Sequence, residues 1–543
     1  MQNKIETDYI VVGAGSAGCV VSARLSEIDS CEVCLLESGR MHKFDPWIKI
    51  PLGVGKLFNN RNLHWQFETE TEPALNNRRI YCPTGKLVGG SGNINGLLFV
   101  RGQPYEYDNL WSTHLDNWKY SNVLPFFKKL ETTTIGDSSS RGRNGPIYIS
   151  EVPHYDQLSD AFFQSCLEKG IKHNVDYNSG NSAGVSKLQI NAKHGLRSSS
   201  AFGYLYPALK RKNLRLYQNR IVKKLIFDKT RVVGVVVGKS GQKDEKFYAR
   251  KEVILCSGAI NTPKILELSG VGNFDKLKPL GLDNVLHLPG VGENLQDHLN
   301  NRLSFECRQP ITINDLMHKF SMKSTSFLDY LLFRRGLIAT PGLSVHGLIP
   351  CEENPNIIKY KIHLTHLSGE SRYSMTKTSG VDPFSGFMLG VTSLHPTSQG
   401  SVHIRSNNYL DNPKINANYL STTGDIEDAL RGIKLLRNIS KQKSFEKVIK
   451  GEIRPGCEIL SDKNFLEYIR RTAQTSWHFI GSCKMGGDAM AVVDTELKVH
   501  GTESLRIADA SVLPNQISSN TNAPSMMIGE RCAEFIKKSN ETL

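Results

Sequence analysis

Asp8-Tyr-Ile-Val-Val-Gly-Ala-Gly-Ser-Ala-Gly18, followed by the run Glu32-Val-Cys-Leu-Leu-Glu37, decides the fold. Tyr9 to Val12 read as a buried strand. Gly13 permits the tight turn after it, Gly15 lets the backbone approach a pyrophosphate, and Gly18 allows a helix to pack closely on the strand. A helix beginning near Ser16, with Ala17 in its first turn, directs the positive end of its dipole at phosphates. Glu32 to Glu37 form a second strand, and Glu37 ends it where a ribose hydroxyl would sit. Strand, helix and acid in register predict a dinucleotide site. The alternative is an ordinary glycine-rich turn with a surface glutamate.

Around this start, 543 residues suffice for a large core and about two domains or more. The chain carries 67 basic and 53 acidic residues, a formal net charge of +14. No dense Lys/Arg block exists beyond Lys210-Arg-Lys212, so nucleic acid is not expected as a partner. The spread basic excess reads as solvated surface, and it is compatible with peripheral contact with acidic lipid. Eleven cysteines, an odd number, are scattered from Cys19 to Cys532. Cys31 and Cys34 have Cys-x-x-Cys spacing but read as apolar packing at a strand end, which suits a reducing compartment. No cluster has metal-ligand spacing. The first strand begins by Tyr9, leaving no basic segment and apolar run for a leader, and no stretch of about 18 apolar residues predicts a membrane helix. The expected location is cytoplasmic, with peripheral contact at the inner membrane face as its variant.

Further along, Ser138 to Gly145 read as a loop. Asn213 to Phe227 and Val232 to Val237 read as strands joined by a turn at Asp228-Lys-Thr, and Lys251 to Cys256 as a buried strand opening into Ser257-Gly-Ala259. Beyond residue 300 the pattern turns to mixed strands such as Lys359–Leu364 and Gly386–Leu394. Asp425 to Ser440 form an amphipathic helix, with Ile426, Ala429, Leu430, Ile433, Leu436 and Ile439 on one side. About the last 70 residues return to dense Gly/Asn/Pro motifs, so a nucleotide domain built from both chain ends with an inserted substrate domain is the simplest arrangement.

Five ordered motifs carry a resemblance that runs essentially end to end. They are Gly85-Lys-Leu-Val-Gly-Gly-Ser-Gly-Asn-Ile-Asn95-Gly with Val100-Arg-Gly102; Gly258-Ala-Ile-Asn-Thr-Pro-Lys-Ile-Leu-Glu-Leu-Ser-Gly-Val-Gly272; Gly290-Val-Gly-Glu-Asn-Leu-Gln-Asp-His298; Trp477-His-Phe-Ile-Gly-Ser-Cys-Lys-Met-Gly486; and Ala508-Asp-Ala-Ser511 with Ser519-Asn-Thr-Asn-Ala-Pro524. Together they resemble the glucose–methanol–choline (GMC) flavoprotein oxidoreductases. Glu68-Thr-Glu-Thr-Glu-Pro and Asn76-Asn-Arg-Arg are similar to the choline-dehydrogenase-like branch.

The resemblance implies an α/β fold with an α+β substrate domain: a Rossmann-like FAD-binding domain from both chain ends, and a substrate domain with a mixed or antiparallel sheet. Its N-terminal region spans 6–300, with a substrate-domain insertion near 155–190. The substrate domain follows over 301–470, and 471–536 return to the FAD domain with the catalytic motif. FAD, rather than NAD, then occupies the Gly13–Gly18 site, with Glu37 on its ribose and the Val222 backbone at its adenine. Gly90, Asn93, Asn95 and Gly96 lie in the loop against the flavin. Asp509 and Ala510 lie near its ribityl and pyrophosphate part, and Gly258 and Asn522 are further cofactor-binding positions. Relatives that attach FAD covalently do so through a histidine where this chain has Ile94, so noncovalent FAD is expected. Gly92-Asn93 replaces the usual Ser-Ser, and Val88 a Leu.

Removing a hydride from an alcohol requires a base for the hydroxyl proton, and histidine titrates in the right range. By resemblance His478 is that base and Asn520 the donor that fixes the alcohol oxygen, while hydride passes to flavin N5. The other readings are a structural histidine and a turn asparagine. Asn522 reads as a flavin-contacting or backbone-fixing residue and His298 as structural. Trp477 is either a pocket wall or a packed side chain, and Cys483 and Met485 read as packing. A small alcohol is the expected substrate, with oxygen or a quinone-type carrier as electron acceptor. Choline wants an aromatic cage and a carboxylate. Trp65 supplies an aromatic, but Val345-His-Gly-Leu-Ile stands where choline-handling relatives carry the acid. Lyases and photodecarboxylases of the same fold are the alternative chemistry, and a non-catalytic flavoprotein a third.

Overall fold

The computed structural model describes residues 5–111, 115–238, 243–370 and 380–541. Strand β1 (Ile5–Val12) leads through Gly13–Gly15 into helix α1 (Ser16–Leu25), and β2 (Val33–Leu36) returns parallel to β1. Strand Glu245–Leu255 lies on the other side of β1, also parallel. Leu214–Tyr217 extends the sheet beyond β2, and Leu505–Ile507 pairs with Val253–Leu255. The first half of Glu245–Leu255 instead pairs antiparallel with Arg231–Gly238, and that strand with Ile221–Asp228. One eleven-residue strand thus belongs to both the parallel nucleotide layer and an antiparallel arm. The covering helix Asn522–Glu541 packs on α1, where Arg24 holds the buried Glu530 and Ser16 Oγ donates to Asn522 Oδ1 at 2.6 Å.

Asn213–Phe227 is not the single strand expected from its apolar pattern. It is two strands on opposite edges of the sheet. Between them Asn219 adopts a left-handed conformation (φ 54°), its N–H donates to Gly39 O, and Arg220 N–H donates to Glu37 O. The chain therefore crosses the end of β2 and delivers Val222 beside Glu37.

The second seven-stranded sheet is antiparallel throughout. Its order is Ile449–Arg454, Leu299–Cys307, Gly386–Ser393, Ile358–Thr365, Leu343–Pro350 and Gly184–Lys187, with Gln474–Thr475 paired to Leu299–Asn300. One face, including Leu303, Phe305, Ile362, Leu389 and Val391, is buried with helices Gln157–Glu168, Thr423–Ser440 and Asp462–Thr472. The Thr423–Ser440 helix buries Ala429, Ile433, Leu436 and Ile439, as its periodicity predicts. It begins before Asp425 because Thr422 caps it, its side chain accepting from Asp425 N. The opposite face bears Asn300, Lys361, His363 and Thr392 and walls a cavity against the first sheet. Among the described residues all eleven cysteines are free, Cys31 and Cys34 are buried, and no helix is long and apolar enough to cross a membrane.

Candidate active site

A cavity of about 460 Å³ runs from Glu37 to the second sheet. At its nucleotide end the backbone is shaped by three glycines. A Cβ on Gly13 would meet Cys256 O at 2.6 Å, and Gly13 itself has φ 101°. A Cβ on Gly18 would meet Gly13 O at 1.9 Å, so this residue sits behind the wall and holds α1 against β1. Gly15 has its nearest such neighbour at 3.8 Å and lines the cavity with Ser16 and Ala17. α1 has no side-chain N-cap, which leaves its first N–H groups to an anionic ligand, whereas the first N–H of the helix Gly258–Leu268 is taken by the Asp509 carboxylate. Glu37 is buried. Its Oε2 accepts from Ala14 N at 2.9 Å and its Oε1 from Gly39 N at 2.7 Å. Burial pushes its carboxyl upward and these backbone donors pull it back. Asp509 Oδ2 accepts from Gly258 N at 2.8 Å and Thr262 Oγ1 at 2.6 Å, which ties the start of that helix to Ala510. Val222, Gly258, Asp509, Ala510 and Asn522 all line the cavity. The fit is that of an extended dinucleotide, with glycines where a phosphate chain passes and an acid at the ribose end.

The Gly85–Gly96 loop closes the middle of the cavity. Gly90 has φ 51°, and a Cβ there would lie 2.8 Å from Gly15 Cα, so the two glycine loops touch backbone to backbone. Gly90, Asn95 and Gly96 line the cavity, but Asn93 does not. Its amide donates to Val88 O at 2.7 Å and accepts from Ser199 Oγ at 2.5 Å, so it braces the loop from behind. A Cβ on Gly92 would lie 2.8 Å from Ser16 Oγ, so a larger residue there requires that hydroxyl to move. The buried Arg197 donates to Asn95 Oδ1 and O, Gly92 O and Ile48 O. Burial lowers its pKa to about 9.

At the far end, His478 and Asn520 come together from segments 42 residues apart, with Asn520 Nδ2 at 2.9 Å from His478 Nε2. Lys361 Nζ donates to Asn520 Oδ1 at 2.5 Å, which turns the amide so that its NH2 faces His478. On the other side His478 Nδ1 lies 2.9 Å from His298 Nδ1, and His298 Nε2 lies 2.9 Å from Leu394 O. A carbonyl only accepts, so His298 Nε2 carries the proton. Burial lowers the His298 pKa to about 3 and keeps the ring neutral, so its Nδ1 accepts. His478 Nδ1 must then be protonated, and its Nε2 presents a lone pair. His298 is more than packing: it sets the tautomer of His478.

The backbone supports this arrangement. Buried Asp297, its pKa raised by burial to about 6, accepts from His478 N at 2.7 Å, Tyr419 OH at 2.6 Å and Thr475 Oγ1 at 2.5 Å. Trp477 adopts φ 60°, a conformation costing a non-glycine residue about 1–2 kcal/mol, and Thr475 Oγ1 accepts its N–H. The Trp477 ring lines the cavity and meets Phe58 at 4.7 Å. Cys483 and Met485 are buried in the core. Lys361, Asp297 and Arg197 were not singled out from sequence. Lys361 and His363 alternate with buried Ile362 and Leu364 along one strand, and that alternation was the available signal.

Comparison with known proteins gives the family. Models for the N- and C-terminal regions of the GMC oxidoreductases match residues 7–300 and 396–529. The chain belongs to the GMC oxidoreductase family. It is 36% identical over 538 residues to an oxygen-dependent choline dehydrogenase of Staphylococcus xylosus, covering 98% of this chain and 94% of that protein. It is 36% identical over 534 residues to an alcohol dehydrogenase (acceptor) of Pseudomonas putida, covering 97% and 95%. The pyridoxine 4-oxidase structure from Mesorbium loti superposes with a TM-score of 0.87 at 26% identity, covering 98% of this chain and 99% of that one. This GMC protein is an FAD-dependent oxidoreductase, and its reaction is the oxidation of an alcohol.

Proposed function

We propose that His478 Nε2 takes the hydroxyl proton of a small alcohol while Asn520 Nδ2 donates to the alcohol oxygen, with FAD held noncovalently. The observation that carries this is the hydrogen-bond direction from Leu394 O through His298 to His478, which leaves Nε2 as an acceptor beside the Asn520 amide, both residues lining the cavity. Proton loss builds negative charge on the alcohol oxygen, and the Asn520 donor stabilises it. FAD, when bound, supplies the acceptor for the hydride that leaves the carbinol carbon as the carbonyl forms. Ile94, a buried apolar residue on the cavity wall, offers no nucleophile for a covalent link.

A peripheral position at the inner membrane face is supported by the helix Phe320–Phe333. Its Phe320 and Leu332 are 84% and 71% exposed, Phe327, Leu328, Leu331 and Phe333 are also exposed, and Lys319, Arg334 and Arg335 flank it. Apolar side chains beside basic ones suit an acidic lipid surface, where a quinone would be at hand.

The test is an anaerobic titration of the FAD-loaded protein with aliphatic, aryl and carboxylated alcohols and choline. Bleaching of the flavin band by an alcohol is the expected result. The rate at which air then restores the colour separates oxygen from a quinone as acceptor. His478→Ala should retain FAD and slow flavin reduction by about 100-fold or more; full activity in that variant ends the assignment. A yellow protein that no alcohol bleaches points instead to lyase or photodecarboxylase chemistry.

A further inference from the structure

The wall opposite His478 has a definite electrostatic sign. Lys361 and His363 lie on one face of strand Ile358–Thr365, and both line the cavity. Across the sheet Lys361 pairs with Thr392 and Thr392 with Asn300, while His363 pairs with Gly390 and Gly390 with Arg302. Gly390 has no side chain in the way: a Cβ there would lie 2.4 Å from the His363 ring, which lies across it. Lys361, His363 and Arg302 are all buried; Lys361 and His363 line the cavity, while Arg302 donates to Gln474 Oε1 and Glu370 O beside it. The carboxylates on the cavity wall among the described residues are Glu37 and Asp509, both at the nucleotide end and both engaged with backbone N–H groups. Residues 371–379 contain no Asp or Glu.

Resting on the alcohol-oxidation reading above, we infer that the substrate is a hydroxy acid whose carboxylate is received by Lys361 and His363. A low-dielectric wall with an ammonium and an imidazole favours an anion and disfavours a quaternary ammonium. Trp65, the aromatic residue that could serve choline, already has Lys86 Nζ over its ring at 4.4 Å. The geometry also limits the length of the substrate. Lys361 Nζ and His478 Nε2 contact opposite ends of one amide, at 2.5 and 2.9 Å, so carboxylate and hydroxyl are a few bonds apart. Leu52, Phe58, Ile313, Leu367 and Met388 line the same cavity and receive an apolar remainder.

The experiment uses the FAD-loaded protein and two unreactive probes of equal shape, phenylacetate and phenylacetamide. Binding is read from perturbation of the flavin spectrum, and reduction from an anaerobic comparison of mandelate with 1-phenylethanol. The expected result is a preference for the acid over the amide of about tenfold or more, lost in Lys361→Met and kept in Lys361→Arg. Equal affinity for acid and amide in the native protein overturns the inference, as does an acid preference that survives Lys361→Met. Reduction by 1-phenylethanol without acid binding also overturns it, while leaving alcohol oxidation intact. Lys361-dependent acid binding with no reduction by any alcohol supports the anion seat and instead removes the proposed function.

Discussion

His298 and His478 share one hydrogen bond yet have opposite requirements: one stays neutral, and the other, in the proposed reaction, cycles a proton. The buried His298 ring refuses a proton until about pH 3, whereas the unfolded chain accepts it near the ordinary 6.5. Its contribution to stability is therefore intact above 6.5 and lost as pH falls toward 3. Asp297 acts in the opposite sense. With its pKa raised from 3.8 to about 6, its contribution is present below 3.8 and lost as pH rises through 6. His298→Asn should flatten the acid-side loss of stability, read from unfolding midpoints below pH 6.5, and still offer an amide oxygen to His478 Nδ1. His298→Leu leaves that N–H without an acceptor, a cost of about 1–3 kcal/mol, and should slow flavin reduction more than the Asn variant. His478 and Asn520 were legible as candidates because each sits in a motif, and the fold brings them together. The role of His298 was not, since its partner lies 180 residues away. Lys361 was hidden for a different reason: a strand's alternation shows that two faces differ, not which one meets a cavity.

Among elements, the turn between β1 and α1 separates packing from binding. A methyl group on Gly18 would press on the Gly13 carbonyl at 1.9 Å, backbone against backbone, so the helix must move off the strand. Gly18→Ala should lose about 1–3 kcal/mol or more in urea unfolding, and FAD affinity with it. A methyl on Gly258 meets nothing within 4 Å, but φ is 81° there and the residue lines the cavity. Gly258→Ala should cost about 1–2 kcal/mol of strain and show its larger effect in FAD titration. The local strand–turn–helix grammar made β1, α1 and β2 legible, as it did the helix Thr423–Ser440. It failed over Asn213–Phe227. Gln218-Asn-Arg220 holds neither Gly nor Pro, and the break is made by hydrogen bonds to Gly39 and Glu37 from elsewhere in the fold.

For the whole molecule, the exposed helix Phe320–Phe333 makes a prediction about surfaces. The protein should sediment with phosphatidylglycerol vesicles but not with phosphatidylcholine ones, and added salt should weaken the binding. Phe320→Ser with Leu332→Ser should abolish the binding without affecting flavin reduction; sedimentation that survives the pair excludes this helix as the contact. The even spread of basic residues along the sequence concealed this patch, because exposure is a property of the fold. The order of the second sheet was equally hidden, since its neighbours are set by pairings between distant segments. The first sheet has a consequence of another kind. Tyr9 meets Asn540, Glu27 meets Lys537, and Leu505–Ile507 completes the layer that residue 5 begins. On the ribosome, β1, α1 and β2 emerge early but lack their covering helix until residue 541 has been made. Flavin capture is then expected to follow synthesis, with the apo chain as the form open to chaperones and proteases. A circularly permuted gene that joins these two regions would let the cofactor layer assemble while translation is still under way.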